Sequence, residues 1–137
     1  MCLIIDDKHI VWKKAEEDIT VYKTLTFLSG KYCTPFICIP VPYNVVKGKV
    51  LFVAKTLDGN NVTKVWLKKV YKNKKTVSSG LIHTFVDYDS AYASAKYWGD
   101  SLFECVIPKG TIYIEGTFDD EEPSYASTKI RFVKKLI

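Results

Sequence analysis

Arginine is almost missing from this sequence. All but one of the 20 basic residues are lysine, the exception being Arg131. Arginine supplies the rigid fork that grips phosphate and guanine bidentately, whereas lysine is a mobile point charge. The formal charge of +5 is therefore a diffuse field, a poor basis for reading bases. Such a lysine bias is also what an A/T-rich genome writes through its codons.

Metal-binding spacing is missing too. Cys2, Cys33, Cys38 and Cys105 form no C-x-x-C pair, and only His9 and His83 could add ligands. Zinc sites need close ligand pairs with further Cys or His, so no metal is expected. No Gly-rich phosphate loop, H-E-x-x-H or G-x-S-x-G occurs. No apolar run approaches the roughly 20 residues that cross a bilayer. The apolar start is short and runs into Asp6 and Asp7, unlike a secretory leader. These absences point to a cytoplasmic protein with free thiols and no membrane partner.

What is present is a strand-forming composition. Nine Tyr, seven Phe and three Trp accompany many Val, Ile and Thr, and 47% of the 137 residues are apolar. That is enough to build one core, and no repeat, low-complexity run or linker divides the chain, so 1–137 reads as a single domain. In DITVYKTLTFL (18–28), Ile19, Val21, Lys23, Leu25 and Phe27 share one face, as a strand requires. Three prolines make 29–44 an extended loop or an edge strand. The spacing predicts strands over 47–57 and 76–87, and favours one over 63–75.

Asp87 or Asp89 can cap a helix near 88–98, with Ala91, Ala95 and Trp98 on one face and Tyr88 and Tyr92 beside it. Gly99 suits its left-handed end. Two strands then flank Pro108-Lys109-Gly110, an acidic loop covers 119–126, and 127–137 is a last strand. The sum is an α+β domain, mainly antiparallel sheet, with one principal helix.

The candidate functional residues each have a structural alternative. Cys2 would be N-terminal after loss of Met1, yet a small buried thiol in an N-terminal strand is the stronger reading of MCLII. His83 sits in GLIHTF with Leu81 and Phe85 on its face, where it can serve the sheet alone. The acidic run FDDEEPSY (118–125) fits no calcium loop and reads as solvated. The lysines of 63–75, interleaved with Trp66 and Tyr71, suit weak single-strand nucleic-acid binding or a solvated strand face.

Four segments in order, VYKTL (21–25), GLIHTF (80–85) with its helix, LFECVIPKGTIYIEG (102–116) and SYASTKIRF (124–132), resemble small ADP-ribosyltransferase-like domains. In that family a first strand grips NAD through His or Arg, a middle strand lies beside the nicotinamide, and a late strand carries the catalytic glutamate. The resemblance places Tyr22 or Lys23 at the first position, His83 or Thr84 at the second, and Ser127 or Thr128 at the third. It thus implies a member without transferase chemistry. IPKGT and SYASTKIRF are also similar to a "GIHSF…IPKGT…YAS" pattern of small phage and gut-bacterial proteins.

Together these readings predict a non-enzymatic binding module of phage or bacterial origin, needing no cofactor. Its partner would be a nucleotide-type ligand or a protein. The expected ligand-binding residues are Tyr22, Lys23, His83, Thr84, Tyr125 and Ser127. An ADP-ribosyl or NAD-processing enzyme using Glu104 or Glu115 is the alternative, and nucleic-acid binding through 63–75 a second one.

Overall fold

The structure is a computed structural model, and it describes residues 3–4, 12–35, 39–55, 60, 62–63, 76–77, 81–118 and 122–137. The lysine-rich stretch 64–75, the turn at 56–59, Cys2, Cys38 and the acidic residues 119–121 lie outside the described residues.

Alternation in 18–28 does make a strand. Among the described residues it is the third, after β1 (Leu3–Ile4) and β2 (Lys13–Lys14), and it runs Ile19–Leu28 as β3. Val21, Lys23 and Leu25 point to one buried face. Phe27, at the strand's end, is 55% exposed instead. The proline-rich segment yields two short strands, β4 (Lys31–Cys33) and β5 (Pro40–Val41). They lie off the main path of the sheet, β4 on β3 and β5 on β4, where a missing N–H is tolerated.

The stretch 47–57 is only partly a strand. A four-residue helix, α1 (Tyr43–Val46), comes first, then a turn, and β6 is just Phe52–Val53. Gly48 decides this. It has a φ of 77°, and a Cβ there would run into the carbonyl oxygen of Phe132. The backbone therefore packs flat on a neighbouring strand instead of extending the sheet.

Next come β7 (Thr76–Val77), β8 (Ile82–Phe85) and the principal helix α2 (Tyr88–Trp98). The Asp87 carboxylate accepts from the Ser90 N–H at 3.2 Å and from its hydroxyl at 3.1 Å. Gly99 closes the helix at a φ of 70°. Ala91 and Ala95 are fully buried, but Trp98 is 55% exposed and does not join their face. Thr26 Oγ1 donates to Asp100 at 2.8 Å and ties the helix end to β3.

The chain ends with β9 (Ser101–Ile107), β10 (Ile112–Phe118), β11 (Glu122–Ser127) and β12 (Lys129–Lys135). The expected acidic loop is thus a strand from Glu122 onward. Nor do β9 and β10 form a hairpin. β9 lies between β3 and β12, while β10 lies between β11 and β1. The Pro108–Gly110 turn carries the chain across the sheet, held by Lys109 N–H to Asp18 (2.9 Å) and Gly110 N–H to Ala15 (2.8 Å).

The result is the expected α+β domain, mostly antiparallel sheet. Its main path runs β6-β12-β9-β3-β8-β11-β10-β1-β7. β3 is registered with β9 from Ile19 to Leu25, but with β8 only at Tyr22–Phe85. A weak seam thus divides two well-laddered halves. On one sheet face, Val21, Leu25, Phe103, Cys105, Ile107 and Phe132 build the larger core beneath α1, β4 and β5. On the other, α2 sets Ala91 and Ala95 on Phe85 and Leu102. Burying each such large side chain contributes about 1.5–3 kcal/mol.

Cys105 is a buried free thiol, whereas Cys33 is disulfide-bonded. The expectation of free thiols fails at Cys33, and the compositional case for a reducing compartment weakens with it. Among the described residues no helix is long and apolar enough to cross a membrane.

Candidate functional site

The six expected ligand residues lie on three adjacent strands, β3, β8 and β11. Tyr22 is paired with Phe85, Thr84 with Tyr125, and Ile82 with Ser127. Directly paired residues point the same way. The six therefore divide between the two sheet faces. Tyr22 and His83 point to the α2 side. Lys23, Thr84, Tyr125 and Ser127 point to the larger core.

Lys23 is the most unusual of them. Its side chain is only 6% exposed, among Val21, Leu25 and Cys105 on the core face. The ammonium Nζ donates to the His83 carbonyl oxygen at 2.9 Å and so spans the seam between β3 and β8. Burial pushes its pKa down to about 8, against a smaller opposing pull from Cys105 and Asp100. Removal from water disfavours the charged form, and one carbonyl only partly compensates.

His83 is also inside, and its Nε2 has no hydrogen-bond partner. Burial, with the Lys23 charge second, lowers its pKa to about 3. The imidazole is therefore neutral throughout the physiological range. Burial pushes the Cys105 thiol upward, so it stays protonated and inert.

The two hydroxyls are committed to backbone. Thr84 Oγ1 donates to the Tyr125 carbonyl at 3.3 Å, and Ser127 Oγ donates to the Lys129 carbonyl at 3.3 Å. Nucleophilic chemistry needs a hydroxyl or thiol aimed at a base and open to substrate. Here the hydroxyl protons go to main-chain oxygens, and both residues are buried.

Tyr125 and Tyr22 retain partial exposure, on opposite faces. The Tyr125 ring meets Tyr113 at 5.1 Å, beside the Lys13–Glu115 ion pair at 3.1 Å. An open concavity of about 760 Å³ lies near them, lined by Lys13, Lys14, Glu16, Glu17, Asp18 and Tyr113 among others. None of the six expected residues lines it. Its charges oppose one another, and it encloses little.

Tyr22 belongs to a different arrangement. Its ring meets Tyr88 edge-on at 5.7 Å, and Tyr88 meets Tyr92 at 5.8 Å. The Lys96 ammonium then lies 5.6 Å from the Tyr92 ring. Helical spacing of four brings Tyr88, Tyr92 and Lys96 into one row. Tyr88 and Tyr92 are 40% and 38% exposed. The row is thus an aromatic ladder rising from the sheet along α2 to a cation at its far end. The sequence already pairs Tyr88 with Tyr92, but nothing in it shows that Tyr22 joins them from a distant strand.

Among the described residues no group of three or more His, Cys, Asp or Glu is placed to hold a metal. No protein-family model, curated protein or solved structure matches the chain.

Proposed function

We propose that the protein is a non-enzymatic binding module, of phage or bacterial origin, that holds a nucleotide-type ligand against the Tyr22–Tyr88–Tyr92 ladder. The observation that carries this reading is the ladder itself, three rings in edge-on and tilted contact, partly open to solvent and ending at Lys96. Every nucleobase has a π-face, and stacking on an aromatic side chain contributes about 1–3 kcal/mol per base. The buried set of Lys23, His83, Thr84 and Ser127 then acts as the frame behind Tyr22.

The finer fold reading, an ADP-ribosyltransferase-like domain, is kept as part of this proposal. It is supported by the seam between β3 and β8, which separates the strands aligned with the first and middle family elements. The commitment of Thr84 and Ser127 to backbone oxygens favours a member that binds without transferring.

Native mass spectrometry with NAD, ADP-ribose and cyclic and linear nucleotides tests the proposal. The expected result is an added ligand mass that Tyr88→Ala removes. A product mass formed from NAD would make the protein an enzyme and overturn it. No bound species across the panel would overturn it too, in favour of a protein partner.

A further inference from the structure

The sheet beside Tyr22 carries charges that form no ion pair among the described residues. β12 is registered on β9 as Arg131–Val106 and Lys134–Glu104, and β9 on β3 as Val106–Thr20 and Glu104–Tyr22. Two rows therefore cross the same three strands, Tyr22–Glu104–Lys134 and Thr20–Val106–Arg131. Direct pairing puts both rows on the face that holds α2.

Arg131 and Lys134 are three residues apart, and in a regular strand they would face opposite sides. The register shifts between Phe132 and Lys134, so Val133 is an extra residue in the ladder. A bulge of this kind re-aims the side chains that follow it. Here it returns Lys134 to the side of Arg131, in line with Glu104 and Tyr22. It also turns Lys135 to the opposite side, across from Phe103.

Thr20, Arg131 and Lys134 are exposed, and Glu104 and Val106 are half-buried. Among the described residues, Glu104, Arg131 and Lys134 enter no ion pair or side-chain hydrogen bond. Glu104 and Lys134 are strand neighbours and still stand apart. The sole arginine of the chain is one of the three.

We infer that these two rows extend the aromatic ladder into a site for a nucleoside phosphate, with Arg131 and Lys134 holding the phosphate and Glu104 accepting from the sugar hydroxyls. The inference rests on the proposed nucleotide reading and adds the polar half of the site. Tyr22 and Lys134 are two strand spacings apart, ~9.6 Å between backbones. A base stacked at Tyr22 would thus lay its sugar over Glu104 and its phosphate between Lys134 and Arg131. Arginine suits a phosphate through its planar fork. A lone carboxylate suits sugar hydroxyls, which donate to it, and repels a phosphate placed too near.

Isothermal titration of the intact protein with ADP and with adenosine tests this, using Arg131→Glu, Lys134→Glu and the control Lys135→Glu. All three variants change charge equally at exposed positions, and only the first two face the ladder. Losing a charged hydrogen bond weakens ADP roughly ten- to a hundredfold. That loss is expected for Arg131→Glu and Lys134→Glu, with Lys135→Glu within about twofold of wild type and adenosine indifferent to all three. ADP binding that Tyr88→Ala abolishes but that Arg131→Glu and Lys134→Glu spare would overturn the inference and leave the ladder reading standing. Equal weakening by Lys135→Glu would overturn it as well, since a general field would then suffice. No ADP binding by wild type would overturn the inference, and no binding across NAD, ADP-ribose and the other nucleotides would overturn the ladder reading with it.

Discussion

Replacing Lys23 by methionine should leave the protein as stable as before or make it more stable at neutral pH. The side chain is 6% exposed, and burial holds its pKa at about 8 instead of 10.5. At about 1.4 kcal/mol per pH unit, keeping that charge inside costs roughly 3 kcal/mol below pH 8. Methionine removes the cost and matches the length of the stem. It also strips the His83 carbonyl of a donor 2.9 Å away, a loss of about 1–3 kcal/mol. The difference runs from about zero to 2 kcal/mol in favour of the variant.

The pH dependence carries the sharper test. Between pH 8 and 10.5 the unfolded chain holds the Lys23 proton and the folded chain has released it. Folded stability conferred by this group therefore rises with pH in that window. Wild type should gain roughly 3 kcal/mol on Lys23→Met across it. Urea unfolding of both proteins at pH 7, 8, 9 and 10.5 reads this directly. The raised thiol pKa of Cys105 acts in the opposite sense but is present in both proteins, so it largely drops out of the difference. A variant destabilised by more than about 3 kcal/mol, with a gap flat in pH, would refute the reasoning.

His83 should make the protein acid-labile. Its folded pKa of about 3 lies below the ordinary 6.5, so stability falls as pH drops from 6.5 to 3, by up to about 5 kcal/mol from this group. His83→Gln should flatten that part of the unfolding profile, and an unchanged slope would contradict a buried neutral imidazole. Gly48→Ala should cost about 2–3 kcal/mol by thermal unfolding, since its left-handed backbone and its contact with the Phe132 carbonyl both resist a side chain. Asp87→Ala should cost about 1 kcal/mol through loss of the α2 cap, and less than 0.5 would argue against the Ser90 hydrogen bonds.

Local signals in the sequence were good guides where local chemistry decides. Alternation found β3, and the Asp87 and Gly99 caps found α2 to within a residue. The Pro108–Gly110 turn was also legible, but not where its strands go. β9 and β10 part company because each finds a better partner far along the chain, and pairing of that kind leaves no mark at the turn. Lys23 shows the same limit from another side. Its place in the alternation puts it on the buried face, while its polarity argues that it should not stay there. The His83 carbonyl across the seam resolves that conflict, and it lies 60 residues away.

The candidate site divides in the same manner. His83 could be named from the strand pattern, Tyr22 only through the family resemblance, and Tyr88 with Tyr92 from helical spacing. That Tyr22 meets Tyr88 edge-on depends on α2 crossing β3, which no local pattern encodes. Lys134 was hidden for a different reason. Simple alternation puts Arg131 and Val133 on one side and Lys134 on the other, and only the bulge at Val133 reverses this. The acidic segment failed as a loop because backbone pairing with β8 and β10 outweighs the weak strand preference of Glu122, Pro123 and Ser124.

The most direct measurement is a titration of ¹⁵N-labelled protein with ADP, followed by amide shifts across the sheet. The account predicts saturable shifts centred on Tyr22, Tyr88, Glu104, Arg131 and Lys134, with little change at Tyr113, Tyr125 and Lys135. No saturable shift, or shifts confined to the concavity around Lys13 and Tyr113, would contradict it.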